Sequence, residues 1–360
     1  IERVAADTAS HADALALHFS VAGEHAKAWR YATLAASRAA RAYANADAAR
    51  LYRLALEAAR RLPDLDPREL VEAWTERGHA CRQAGMFEEA LDCYRPASRQ
   101  ADHDPVARAG LLLLRARARE RMGAFPAALR ELAAGRRLLE GIDSSEAAAA
   151  RARLSSHAAM IRFAQERFED ALRLGARAVD EARATGERAA LAQALVAADS
   201  ARLSLGGGGE AGMHEALAIY EALGDLSSVA MVRGNLGCGA FLEGRWDEAL
   251  AWFEGDREAR LRAGNVVGAA TAASNIGEIL VKRGRLDEAW PVLTEVVRVM
   301  RASGFSDGAA YAELQLGRLL LARGEHARAG GLLARVRAEF AALGQAASAL
   351  EAACVEARAR

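Results

Sequence analysis

Gly224, Gly264, Gly304 and Gly344 recur with a constant period of 40. Gly237, Gly277 and Gly317 keep the same step, and Gly78 holds the equivalent place earlier in the chain. A third marker is alanine. Ala48, Ala90, Ala128, Ala171, Ala216, Ala249, Ala289 and Ala329 recur at gaps that scatter around that period. Five of them sit near the end of a repeated heptad, written GMFEEAL, GAFPAAL, ERFEDAL, GRWDEAL and GRLDEAW. Wherever a glycine of the second set occurs, an alanine follows at one fixed distance, as in Gly78–Ala90, Gly237–Ala249, Gly277–Ala289 and Gly317–Ala329. Three markers in one phase require a chain that repeats one supersecondary unit and buries each unit against its neighbours.

Each marker has a helical reason. Gly224, Gly264 and Gly304 close one helix, where the residue after the cap adopts a left-handed backbone. The next helix runs to about Gly244, Gly284 or Gly324, and a short turn leads into the heptad. Asp247-Glu248 and Asp287-Glu288 then fall in the first turn of the following helix, where negative charge suits the helix dipole. Small residues at Gly237 and Ala249, or Gly277 and Ala289, are expected to face each other where two helices cross. Trp246, Phe253, Leu286 and Leu293 fill the space around them. Pro63, Pro67, Pro105 and Pro126 fall at turns or first helical turns, whereas Pro96 predicts a kink or an early helix end. Asn265 reads as a turn residue outside any groove. The run Gly206–Gly209 has no strand before it and no Lys-Ser/Thr after it, so it reads as an interhelix turn rather than a phosphate loop.

The expected architecture is therefore all-α: a right-handed α-solenoid of about eight helix hairpins with a period near 40. Residues 1–65 form an entry segment of helices, 66–345 the main array, and 346–360 a C-terminal capping helix. The leading L-G and the G-x-x-x-x-A core resemble the tetratricopeptide repeat (TPR). The match includes Trp74, Gly78, Ala90, Tyr94 and Ala97 in one copy and Leu236-Gly237, Ala249 and Phe253 in another. The period departs from the ~34 residues of that repeat, which implies helices longer by about a turn. HEAT and armadillo arrays share the longer period but lack the glycine–alanine pair.

Residues 15–62 are similar to the stretch that begins the repeat tail of large multidomain bacterial signalling ATPases. These carry a class III nucleotide cyclase domain, or a DNA-binding helix-turn-helix as in the maltose-regulator type. The matching residues are His18-Phe19, Ala22-Gly23, Ala28, Tyr43-Ala44-Asn45 and Ala55-Leu56. The resemblance implies a regulatory or sensing tail, without importing catalysis. Ile1 opens inside helical sequence in place of a Met, which reads as a fragment of a longer protein.

Composition narrows the function classes. Of the 360 residues, 48 are Lys or Arg and 48 are Asp or Glu, so the formal net charge is zero. Nothing in that balance draws the whole chain to nucleic acid or an anionic membrane. Cys81, Cys93, Cys238 and Cys354 show no metal-ligand spacing and suit a reduced, cytoplasmic setting. No Ser/His/Asp set or paired histidine points to an enzyme, and no cofactor is expected.

Chemistry, if it sits anywhere, belongs on the first helix of each pair, which lines the concave face in the TPR family. Positions −6, −2, +1 and +5 from the glycine share one helical face. They read Thr271, Asn275, Glu278 and Lys282 in one repeat, Tyr311, Gln315, Arg318 and Ala322 in the next, and Met231, Asn235, Cys238 and Leu242 in the one before. Asn235, Asn275 and Gln315 thus make a row of amides able to donate to and accept from a peptide backbone. The same stripe carries Arg202, His157, Arg153, Arg117 and Arg121 in earlier repeats. Structural readings stand beside these: the asparagines as ties between repeats, and Glu278–Lys282 as a simple helix pair. The expected function is a non-catalytic interaction or sensor module for a peptide, protein segment or small signal. Its partner would be another protein or upstream domains of the same polypeptide. A ligand-free assembly scaffold is the alternative, and nucleic-acid binding through the arginine-rich segment 108–137 is a weaker one.

Overall fold

The computed structural model describes residues 10–42 and 44–359. Tyr43, one of the residues carrying the resemblance at the start of the chain, lies outside them. So do residues 1–9 of the expected entry segment and residue 360 of the expected capping segment. Among the described residues every regular element is an α-helix. In order they are α1 (Ala12–Val21), α2 (His25–Arg41), α3 (Asn45–Ala59), α4 (Pro67–Gln83), α5 (Phe87–Gln100), α6 (Pro105–Arg121), α7 (Phe125–Leu138), α8 (Ser145–Ala164) and α9 (Phe168–Thr185). Then come α10 (Arg188–Ser204), α11 (Ala211–Leu223), α12 (Leu226–Leu242), α13 (Trp246–Arg262), α14 (Val266–Lys282), α15 (Leu286–Ala302), α16 (Ser306–Ala322), α17 (His326–Ala342) and α18 (Ala346–Ala357).

Two compact units divide the chain between Ala201 and Arg202. In the first, α2 packs on α3, α4 on α5, α6 on α7 and α8 on α9, with α1 against α2. In the second, α12 packs on α13, α14 on α15 and α16 on α17, with α18 against α17. Among the described residues seven such pairs pack within the two units, flanked by α1 and α18, and α10 and α11 stand between them in chain order. The glycine run joins α10 to α11, a connection between two helices as expected.

Helix length explains the period. Each helix from α12 to α17 has 17 residues, and short connections of equal length join them, so two helices with two connections fill one repeat step. The turns are alike. After α12, the Gly244 N–H donates to the Phe241 carbonyl and the Arg245 N–H to that of Ala240, at 3.1 and 2.8 Å. This closure needs a positive φ at the residue after the cap, and Gly244 has φ 76°. In the ERFEDAL copy the same place falls to Glu166, which adopts φ 58° without being glycine. All the landmark alanines are fully buried, with 0% exposure.

Three expectations need correction. The glycine of the first helix faces the large residue one helical turn beyond the alanine, rather than the alanine itself. A Cβ on Gly317 would lie 2.5 Å from Leu333 Cδ2, and one on Gly237 2.8 Å from Phe253 Cε1. Gly277 meets Leu293, and Gly78 meets Tyr94, in the same way. Only hydrogen in place of a Cβ lets these side chains reach the first-helix backbone. Pro96 does not end α5, which continues to Gln100. The proline removes one backbone hydrogen bond, while Tyr94 and Ala97 beside it remain fully buried and hold the last turn in place. Asn265 is more than a turn residue: its Oδ1 accepts the Gly268 N–H at 2.8 Å and caps α14.

Candidate functional site

The first helices of the second unit, α12, α14 and α16, bring part of the predicted stripe to one recess of about 280 Å³. Cys238, Phe241 and Leu242 enter from α12, Asn275 and Glu278 from α14, and Tyr311 from α16, with Phe253 of α13 at the base. The apolar wall follows from the packing just described, because the Phe253 ring that fills the notch at Gly237 also reaches the recess. Leu242, in the last turn of α12, is largely exposed there. Polar groups converge opposite the apolar wall. The Tyr311 hydroxyl donates to Glu278 Oε2 at 2.7 Å, and Lys282 Nζ stands 3.7 Å from Glu278 Oε1. Lys282 also lies over the Phe241 ring, 5.6 Å from its centroid, a cation–aromatic contact.

Burial sets the protonation states. Desolvation raises the pKa of Cys238, with Asp256 and Glu278 adding to it. Tyr311 is likewise pushed up, first by burial and then by its bond to the Glu278 carboxylate. The recess thus offers aromatic and aliphatic surface, one amide, one carboxylate and one ammonium group. It can seat an apolar side chain while hydrogen-bonding a neighbouring polar group.

The amide row is not uniform. Asn275 lines the recess. Asn235 is half-buried on α12 and already engaged in an interaction. Gln315, expected to face a ligand, is only 1% exposed. Its Oε1 accepts from Arg318 Nη1 at 3.2 Å. Arg318 in turn pairs with Glu351 of α18. Glu278 with Tyr311, and Arg318 with Glu351, occupy the same two repeat positions, so this register ties adjacent first helices together.

In the first unit most stripe residues are engaged locally. Arg153 pairs with Glu187 at 3.0 Å. His157 is buried, its Nε2 3.1 Å from Glu120 Oε2 and its Nδ1 3.2 Å from Gln193 Nε2. Arg117 is half-buried, and its charge adds to burial and Arg82 in lowering the His79 pKa to about 4, with burial the largest cause. Arg121 is exposed at the end of α6. Arg202, in the second unit, folds its side chain against Gly207 of the glycine run. Within the arginine-rich segment, Glu131 takes Arg115 and Arg119 at 2.7 and 3.3 Å, and Glu181 takes Arg136 at 2.9 Å.

Asn275, Glu278 and Tyr311 therefore come together, with Lys282 at their edge. The stripe rule missed Phe241, which sits one residue before its +5 position. Phe253 carried a signal only as a packing residue, one helical turn after Ala249.

No protein-family model and no curated protein sequence matches the chain. Solved structures do. A signal transduction ATPase with numerous domains (STAND) from Pyrococcus horikoshii, described as having a tetratricopeptide repeat sensor, superposes with a TM-score of 0.63 at 18% identity. The match covers 92% of this chain and 51% of that one, so the chain spans about half the length of the STAND protein. A Rap protein complexed with Competence and Sporulation Factor gives a TM-score of 0.54 at 14% identity, covering 92% of this chain and 98% of the other. The apo form of RapI gives 0.52 at 13%, covering 98% of both chains. The fold is a TPR-like helical repeat. Among the described residues, no helix is long and apolar enough to cross a membrane.

Proposed function

We propose that the chain is a non-catalytic interaction and sensor module of the TPR type. It holds a peptide, protein segment or small signal against α12, α14 and α16 and regulates an effector domain, which can belong to the same polypeptide. The observation that carries this reading is the recess itself, where an exposed Leu242 and the Phe241 and Phe253 rings face Asn275, Glu278 and Tyr311. An open apolar side chain such as Leu242, beside aromatic rings and a few convergent polar groups, is what a recognition pocket provides. The neighbours lend support: one TPR array is described as the sensor of a signal transduction ATPase, and a Rap protein is complexed with Competence and Sporulation Factor.

The ties Glu278–Tyr311 and Arg318–Glu351 favour a second reading, an assembly scaffold in which the stripe serves cohesion between repeats. Peptides selected from a random display library against the intact chain separate the two. Under the sensor reading, selected peptides lose at least about tenfold in affinity for Leu242→Asp and for Asn275→Ala, while both variants keep the wild-type melting profile. Peptides that bind both variants as tightly as the wild type would remove the recess from consideration.

A further inference from the structure

The first unit carries a different recess, where α2, α3 and α4 meet. Its volume is about 430 Å³, inside the ~300–1,000 Å³ span of small-ligand clefts. Trp29 of α2 and Tyr52 of α3 supply aromatic surface, and the exposed Glu69 and Glu72 of α4 also line the recess. Glu76, one helical turn beyond Glu72, lies on the same face of α4. Among the described residues none of these three carboxylates has an ion-pair partner, although arginines are abundant nearby. Arg30, which also lines the recess, places its guanidinium over the Tyr31 ring, 5.6 Å from the centroid.

Two groups register the negative charge gathered on this face of α4, which Arg30 in the lining and Arg41 beside Tyr52 offset only in part. Glu76 is half-buried, and desolvation together with Glu72 pushes its carboxyl above the usual range. Tyr52 is only 6% exposed and lines the recess, and its hydroxyl has no hydrogen-bond partner among the described residues. Burial, then Glu76 and Glu72, push its pKa up to about 12, with Arg41 acting against them.

The ligand chemistry follows from the walls. A hard divalent cation wants six or more oxygen ligands, which two aromatic rings cannot supply. An organic cation uses both kinds of wall: carboxylates take the N–H donors of a guanidinium, and aromatic faces attract its charge. We infer that this recess binds the guanidinium or ammonium group of a basic side chain presented by a peptide or protein segment. It is distinct from the recess in the second unit and stands or falls without it.

Calorimetric titration of the intact chain at low salt tests this with four probes: an acetylated, amidated tri-arginine peptide, its tri-lysine and tri-citrulline counterparts, and agmatine. Tri-arginine or tri-lysine is expected to bind, with the neutral tri-citrulline at least about tenfold weaker. Agmatine binding as tightly as the peptides assigns the site to a free organic cation and overturns the peptide source; weaker agmatine binding supports it. The double variant Glu72→Gln, Glu76→Gln should lose at least about tenfold in affinity, and Trp29→Leu and Tyr52→Phe should each weaken binding. Glu254→Gln, on α13 of the second unit, should leave it unchanged. The inference fails if no cationic probe binds the wild type, if the double variant binds as tightly as the wild type, or if Glu254→Gln loses as much.

Discussion

The Tyr311 hydroxyl donates to Glu278 Oε2 at 2.7 Å, joining α16 to α14 across one repeat. Both residues sit on the stripe expected to meet a ligand, so the same contact ties repeats together and shapes the recess. Tyr311→Phe removes a hydrogen bond to a charged group and is expected to cost about 1.5–3 kcal/mol. A double-mutant cycle with Glu278→Gln, read by denaturant midpoints, should return most of that as coupling. Additive effects would mean that the pair contributes nothing to cohesion.

The glycine notch gives a sharper packing test. A Cβ on Gly277 would collide with the Leu293 side chain, and overpacking of this kind costs about 1–3 kcal/mol. Gly277→Ala should therefore lower the melting temperature, and Gly277→Ala with Leu293→Val should recover part of the loss. Without that rescue the clash would not be with Leu293.

Glu166 holds a left-handed backbone, φ 58°, at the place where the neighbouring repeats use glycine. A side chain there costs ~1–2 kcal/mol, partly offset by the ~0.5–1 kcal/mol of extra freedom that glycine gives the unfolded chain. Glu166→Gly should thus raise stability modestly, seen as a higher denaturant midpoint with unchanged slope. A lower midpoint would show that its backbone is unstrained.

Glu181 supplies a pH signature. Burial works to raise its pKa, but hydrogen bonds from Arg136, Ser155 and Arg177 overcome that and hold it below the usual carboxylate range. A depressed folded pKa means stability present above the unfolded value, about 4.3, and lost as pH falls through the folded value. Glu181→Gln should destabilise by about 1.5–3 kcal/mol at neutral pH, with the difference from wild type shrinking below about pH 4. A constant difference across that range would remove ionisation as the cause.

Asn265→Ala should cost about 0.5–2 kcal/mol through loss of the α14 cap. Arg257→Ala, at an exposed position, should change stability by less than about 0.5 kcal/mol. Equal midpoints for the two variants would show that Asn265 caps nothing.

The repeat, its helix pairs and its turns were legible in the sequence because each rests on a local cause. A glycine fixes a left-handed turn, a helix with its short connection fills half of the repeat step, and an alanine in each heptad marks a position that every repeat buries. Which large side chain the first-helix glycine accepts was not legible. The heptad alanine and the bulky residue after it, such as Ala289 and Leu293, lie one turn apart on the same helical face. Only the packing of the two helices puts the Leu293 side chain against Gly277. The stripe shows the same division. Its spacing placed Asn275, Glu278 and Tyr311 on one face, and the fold brought them to one recess. Spacing could not reveal that Gln315, one repeat on from Asn275, is buried. Nor could it show that Trp29, Tyr52, Glu72 and Glu76, from three different helices, share one neighbourhood. Periodicity along one helix selects a face, whereas the burial and charge of that face depend on the helices packed beside it.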